Sequence, residues 1–464
     1  FAYLMDQGTG KTRVVLDDAA HNYMEGRIEA LLVLCPNSVK TNWVAWGEVD
    51  ATDKHLPDMV PCEKAVWISN SNASEKKLWT EFEDWLENYP SSSIVLSVNY
   101  DAIHLKRVND FLTTFVKTFK TMIVADESTK IKKQSSRRTK AAIALRKWCP
   151  LARIMTGTPI IKRPEDAYAQ FMFLDPDILG FNSYYAFRNR YCLMGGWEGK
   201  EVVAYQRLDE LSDKIASSSY RVMKDDCLDL PPKVYLPTRY VTMGKDQAKA
   251  YKTMQKDMYA EHESGIVEAR IVLTQQMRLQ EITGGYLPII DAETGARVGT
   301  EALVDPKKNP KFVEALELVE ANTGQFIIWS CFRAEIDGMA YVLWKAGYKI
   351  AVFDGRTNDR EKLAIRKACE RGEIDGVIAN QAAGGMGIDE FKVANLFIYL
   401  SNRAGDTEGR VQSEDRGHRA GMGASLTIAD VLVHNSVDTK IRRLIDSDIS
   451  LSQSIMKDGL EGVL

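Results

Sequence analysis

Short unbroken apolar runs punctuate the first third of the chain, at residues 1–5, 30–35, 65–68, 93–98 and 121–125. Each is followed by a polar turn and then by a stretch of mixed character. Strands buried on both faces look continuous rather than alternating, because neither side meets water. The intervening stretches 12–24, 75–88 and 105–118 carry the spacing of crossover helices. This alternation predicts a doubly wound parallel sheet, with its ligand site along the edge where the strands end.

Past Arg153-Ile-Met-Thr-Gly-Thr-Pro159 the pattern changes. Residues 163–225 are aromatic-rich and mainly helical by spacing, with Gly195-Gly196 as an internal loop. Leu230-Pro231-Pro232-Lys233 breaks the chain, 234–243 is extended, and 245–283 is long-helix material. Residues 284–310, rich in Gly and Pro, form a loop or hairpin followed by a linker. From Lys311 the alternation resumes, with helices at 312–320 and 358–371 and strands at 325–330, 349–353, 376–379 and 394–400. The expected class is α/β with two similar lobes and a cleft between them. The expected divisions are a nucleotide-binding lobe 1–160, its helical insertion 161–230, a linker and helical region 231–310, and a second lobe 311–464.

Length supports that division, since 464 residues exceed one ordinary core. Apolar content of 45% and charged content of 27% are those of a soluble globular protein. No apolar run reaches transmembrane length and no signal peptide is visible. Seven scattered cysteines without C-x-x-C spacing predict reduced thiols and a cytoplasmic setting. The six histidines form no metal-ligand cluster in the sequence. A net charge of −4 gives no global pull toward nucleic acid, so such binding needs a local basic surface. Phe1 falls directly on a strand, so a preceding segment is expected.

The first run feeds Gly8-Thr9-Gly10-Lys11-Thr12, the layout of a phosphate-binding loop. Glycines let backbone N–H groups curl toward phosphates, and the following helix adds its positive end. Lys11 would reach the β- and γ-phosphates, and the Thr12 hydroxyl would ligate magnesium. The place where the full pattern has its first glycine holds Met5, and a plain glycine turn fits the stretch taken alone. Asp126-Glu127 closes a later strand. A nucleoside triphosphatase needs one carboxylate for magnesium and one for the attacking water, and Asp126 and Glu127 suit those roles. Beside a phosphate loop, an exposed acidic turn is the weaker reading.

Arg416 and Arg419 stand three apart in Gln412-Ser-Glu-Asp-Arg-Gly-His-Arg419, sharing a face if helical. They suit arginine fingers for a γ-phosphate, and equally a solvated charged helix. Ala382-Ala-Gly-Gly-Met-Gly-Ile-Asp389 would admit a phosphate backbone closely or serve as a structural turn. Lys130, Lys132, Lys133, Arg137, Arg138 and Lys140 form a basic run, either a phosphate-contacting surface or simply solvated. Trp43, Trp46 and Tyr100 read as core or surface packing, with nucleic-acid contact as the alternative.

In order, the chain carries G-T-G-K-T, C-P-N-S with Trp43, S-V-N-Y-D, D-E-S-T-K-I-K, T-G-T-P, I-I-W-S-C-F, F-D-G-R-T, A-G-G-M-G-I-D and Q-S-E-D-R-G-H-R-A-G. This ordered set resembles the Swi/Snf-type ATPases of the superfamily-two helicases and translocases, and it spans nearly the whole chain. The resemblance implies two RecA-like lobes with ATP and Mg2+ between them. Gly8, Thr9, Gly10, Lys11, Thr12, Asp126 and Glu127 would come from the first lobe. Gly387 and Asp389 would approach the nucleotide from the second, and Gln412, Arg416 and Arg419 would complete the site on closure. It also implies a grip on duplex DNA by Pro36, Asn37, Ser38, Ser97, Tyr100 and Thr156, and by Ser330, Gly355, Arg356, Thr357, Ala383 and Gly384. A closing brace helix would begin near Ser436. Several positions depart from the family pattern. Ser128-Thr129 stands where Ala-His or Gly-His is usual, Asp389 where asparagine is frequent, Ser401-Asn402-Arg403 for Trp-Asn-Pro, and Met422 for glutamine.

The leading expectation is a DNA-stimulated ATPase that translocates on double-stranded DNA as a monomer, a compact motor of viral or bacterial type. A strand-separating helicase on DNA or RNA shares the fold, with the 284–300 stretch as its wedge. An ATP-gated nucleic-acid clamp with little turnover is the rival of a different class. The residues do not choose ATP over GTP; ATP follows from the resemblance.

Overall fold

A computed structural model describes residues 1–37, 39–44, 50–67, 71–89, 91–157, 159–160, 163–196, 201–263, 269–291, 297–381 and 390–457. The chain divides into two compact units, Phe1–Leu228 with Ile449–Leu464, and Asp229–Asp448.

The first unit begins with β1 (Ala2–Met5), β2 (Ala30–Cys35), β3 (Cys62–Val66), β4 (Ser93–Asn99), β5 (Thr121–Asp126) and β6 (Leu151–Thr156). A small antiparallel hairpin follows, of β7 (Cys192–Gly195) and β8 (Glu201–Tyr205), and then β9 (Ser219–Val222). Seven of these strands form one parallel sheet in the order β3-β4-β2-β5-β6-β1-β9. Every residue of β2 and β5 is buried. On one face Leu32 and Leu34 join Phe111 and Phe115, and on the other Leu31 and Val33 join Val15 and Leu16. Two covered faces explain the unbroken apolar runs.

The second unit has β10 (Lys233–Tyr235), β11 (Arg239–Val241), the antiparallel pair β12 (Tyr286–Ile290) and β13 (Arg297–Ala302), and β14 (Phe326–Ser330). It continues with β15 (Ile350–Phe353), β16 (Gly376–Asn380), β17 (Leu396–Tyr399) and β18 (Leu426–Val433). A parallel sheet runs β10-β18-β17-β14-β16-β15, with β11 also paired to β18. The molecule therefore has two α/β lobes, each built on a parallel sheet with helices.

Four expectations need correction. The third strand lies at Cys62–Val66 rather than 65–68, and residue 68 is outside the described residues. The region 163–225 is less helical than its spacing suggests, since it contains β7, β8 and β9. The long-helix stretch is two helices, Lys245–Glu263 and Ala269–Thr283, with 264–268 outside the described residues. Finally, β18 was not expected at all, although it pairs with β10, β11 and β17. Its apolar run is interrupted by Thr427 and Asp430, which mask it as a buried strand. Residues 284–310 do supply a hairpin.

Candidate nucleotide site and the helix that carries the arginines

The site grows from the ends of two strands in the first sheet. β1 and β5 run parallel with β6 between them, so they end on the same edge. Two strand spacings separate them by about 10 Å.

At the end of β1 the chain turns through Gly8 (φ 84°) and Gly10 (φ 92°), both left-handed, a region that residues with a Cβ enter only at a cost. Helix Lys11–Met24 starts at once, with no side chain capping it and no acidic residue in its first turn. Its first N–H groups and dipole therefore face the loop without a competing negative side chain. Lys11 is 9% exposed, and its ammonium donates to the Met5 carbonyl at 2.8 Å and the Asp6 carbonyl at 3.2 Å. The Thr9 hydroxyl closes the turn by donating to the Asp6 carbonyl at 2.7 Å. Thr12 follows, half-buried.

At the end of β5, Asp126 is gripped from two sides. The buried Trp43 indole N–H donates to its Oδ2 at 2.9 Å, and the Tyr100 hydroxyl donates to its main-chain carbonyl at 2.8 Å. Burial first, and then the nearby Asp126, push the Tyr100 phenol well above its ordinary pKa. Glu127 is half-buried and has φ 50°, ψ 58°. A left-handed conformation costs a non-glycine residue about 1–2 kcal/mol. Such strain persists where the surroundings over-determine it, often at functional sites.

Ser128, fully buried, donates to Gln170 Oε1 at 2.6 Å. Gln170 in turn donates to the Pro159 carbonyl at 2.7 Å. The acidic strand end and Pro159, beyond the end of β6, are thus tied by one buried amide. Gln170 escaped the sequence reading because its neighbours give no local signal. Trp43 was legible in principle, since a buried indole N–H must find an acceptor.

In the second unit, helix Thr407–Gly417 carries Gln412 and Arg416, two of the candidate residues. Gln412 and Arg416 are buried, at 7% and 4% exposure. The helix ends at Gly417, so Arg416 and Arg419 do not share a helical face as expected. Arg419 lies past the end, and its Nε donates back to the Asp415 carbonyl at 3.1 Å. Nor is this a solvated charged helix. Arg410 is fully buried, makes a two-pronged contact with Asp430 (2.6 and 3.0 Å), and donates to Glu414 at 2.8 Å. Its guanidinium lies 3.4 Å from the Tyr399 ring centre. Lys233, in β10, reaches Asp415 at 3.1 Å and Glu414 at 3.4 Å. His418 contacts the Pro231 carbonyl at 2.9 Å.

The family model described as SNF2-related domain matches residues 5–284, and that described as helicase conserved C-terminal domain matches residues 308–421. The chain belongs to the SNF2-related family. Relatives of this SNF2-related chain include the Xenopus tropicalis SWI/SNF-related matrix-associated actin-dependent regulator of chromatin subfamily A-like protein 1, 22% identical over 453 residues. That match covers 96% of this chain and 42% of the relative. An uncharacterised ATP-dependent helicase of Mycoplasma genitalium is 24% identical over 445 residues, covering 94% of this chain and 38% of the relative. The chain thus spans less than half the length of either relative. Among solved structures, the Sulfolobus solfataricus SWI2/SNF2 ATPase core in complex with dsDNA is similar at 20% identity and a TM-score of 0.39, covering 99% of this chain and 89% of that one.

In this SNF2-related chain the residues expected along a nucleic-acid track divide in two. Ser97, Tyr100, Thr156 and Ser330 are at most 2% exposed. Ser97 donates to the Lys40 carbonyl, and Ser330 to the Glu335 carboxylate. As folded here these four present no surface to a ligand, and Pro36 is buried as well. Asn37, Gly355 and Arg356 are exposed, and Thr357 is half-exposed. Arg356 pairs with Asp354 at 2.9 Å and Asp337 at 2.6 Å. Of the basic run, Lys133, Arg137 and Lys140 are exposed, while Arg138 pairs with Asp101 at 3.1 Å. Ser38, Ala383, Gly384, Gly387 and Asp389 lie outside the described residues. No described helix is long and apolar enough to cross a membrane.

Proposed function

We propose that the chain is a DNA-stimulated ATP hydrolase that moves along double-stranded DNA as its two lobes close and reopen with each ATP. The observation that carries this reading is that the Lys11 loop and the Asp126–Glu127 pair follow β1 and β5, two strands that end on one sheet edge with β6 between them. Membership of the SNF2-related family supports ATP as the nucleotide and duplex DNA as the track.

In this reading the loop N–H groups and Lys11 bind the β- and γ-phosphates. Glu127 orients the attacking water and takes its proton. Gln412, Arg416 and Arg419, brought up from the second unit, stabilise charge on the transferring phosphoryl group. Gly387 and Asp389 are assigned to the nucleotide on the resemblance alone. The Thr12 hydroxyl and the Asp126 carboxylate are hard oxygen donors, and Mg2+ takes few protein ligands beside phosphate oxygens and waters, so these residues fit the ion. When bound, it neutralises charge on the phosphate oxygens. Of the track residues, Asn37, Gly355, Arg356 and Thr357 would meet the phosphate backbone, a reading supported by their exposure, with the buried Ser97, Tyr100, Thr156 and Ser330 supporting the strand ends.

A strand-separating helicase is the second reading. It is favoured by the β12–β13 hairpin, whose Ile289 and Val298 are 45% and 65% exposed. ATP hydrolysis measured with no nucleic acid, single-stranded DNA, duplex DNA and RNA separates these readings. Strong stimulation by duplex alone is the expected result. Stimulation mainly by single strands or RNA would favour strand separation, and no hydrolysis in any condition would leave an ATP-gated clamp.

A further inference from the structure

We propose that Trp43 is a positioning residue for the acidic strand end: its indole N–H fixes the rotation of the Asp126 carboxylate, the group that would meet the nucleotide's cation. The inference rests on the hydrolase reading above.

Trp43 ends the short helix Lys40–Trp43 and is 2% exposed. An indole has one donor and no acceptor, and this one meets Asp126 Oδ2 at 2.9 Å from 83 residues away in sequence. A tryptophan that merely fills space would be satisfied equally by a main-chain carbonyl. A carboxylate partner is different in two respects. The χ2 torsion of aspartate is broad and nearly two-fold, so a directional donor such as this indole biases it toward one orientation. A neutral donor also leaves the negative charge in place, whereas an arginine or lysine would neutralise it and compete with a divalent cation.

The short helix that carries the indole is held independently of Asp126. The Thr52 hydroxyl donates to the Trp43 carbonyl at 2.8 Å, and the Ser97 hydroxyl donates to the Lys40 carbonyl at 3.0 Å. Both ends of the short helix are therefore anchored, one of them by β4. With Tyr100 on the Asp126 main chain, the residue is oriented by two aromatic donors. Their loops follow β2 and β4. Groups that orient a metal-binding side chain in this way typically change metal affinity about 10–100-fold when removed.

The test uses the full chain and a fluorescent N-methylanthraniloyl ADP, with dissociation constants measured in the presence of MgCl2 and in EDTA. Two variants are compared with the unaltered protein: Trp43→Phe, and replacement of Trp43 by 3-benzothienylalanine, which keeps the bicyclic shape and lacks the N–H. The second guards against misfolding from the lost ring volume. The proposal expects the Mg2+-dependent tightening of nucleotide binding to fall about 10-fold or more in both. Affinity in EDTA and the thermal midpoint of the benzothienyl variant should stay at their original values. Unchanged tightening in the folded benzothienyl variant would overturn the proposal, as would an equal loss of affinity with and without Mg2+. Failure of the unaltered chain to bind the nucleotide in either condition would instead overturn the hydrolase reading, and the proposal with it.

Discussion

Replacing Glu127 with glutamine should lower ATP turnover by about 10²–10⁴-fold, the usual contribution of a positioned general base. The substitution keeps size, hydrogen-bonding reach and the left-handed backbone demand at φ 50°, so little else changes. Glutamine cannot take the proton of the attacking water. Lys11 and the glycine turn are untouched, so affinities for ATP and duplex DNA should remain near those of the original protein. Steady-state kcat with saturating duplex, beside nucleotide binding by equilibrium titration, checks both halves. Original rates in the variant would remove Glu127 from its water-activating role.

Arg410→Ala should destabilise the protein by about 3–5 kcal/mol, the scale for breaking a buried ion pair and stranding its partners. Arg410 joins Asp430 in β18, Glu414 one turn further along its own helix, and Asn402 at 3.1 Å. Without the guanidinium, Asp430 keeps only Arg442, at 3.2 Å, as a cationic partner among the contacts described. The helix carrying Gln412 and Arg416 would lose its two-pronged tie to β18. Burial alone would raise both carboxyls, yet Arg410, together with Arg442 and Asn402 at Asp430 and with Lys233 and Tyr235 at Glu414, holds them below their ordinary values. Depressed carboxyl pKa values stabilise the fold above the ordinary carboxylate range, and the gain drains away as pH falls through the folded values. Denaturant unfolding at neutral and acid pH tests this. The original protein should lose the advantage over Arg410→Ala as acid is added, and an advantage independent of pH would contradict the ion-pair account.

What was legible in the sequence is what local physics controls. Gly8, Gly10 and Lys11 announce the tight turn and the helix start after β1, because left-handed backbone favours glycine. Strands β2, β4 and β5 are visible because both faces are covered, and Asp126 closes β5 with Glu127 directly after it. The rest depends on pairing over distance. Strand β18 is hidden by Asp430, whose charge is accounted for only once Arg410 lies against it. Ser97, Tyr100, Thr156 and Ser330 lie in motifs that the resemblance assigned to DNA, but burial is a property of the assembled sheet and no single-residue signal reveals it. Trp43 and Gln170 are of the same kind, since each bridges elements far apart in the chain. The end of helix Thr407–Gly417 fell between the two arginines, which periodicity cannot locate to within a residue or two.

The most direct test of the central claim is displacement of a triplex-forming strand from a duplex track in the presence of ATP. The account predicts release of the third strand that depends on ATP, is lost in Glu127→Gln, and leaves the underlying duplex paired. Separation of the duplex itself would establish the strand-separating reading, and hydrolysis without any displacement would contradict translocation.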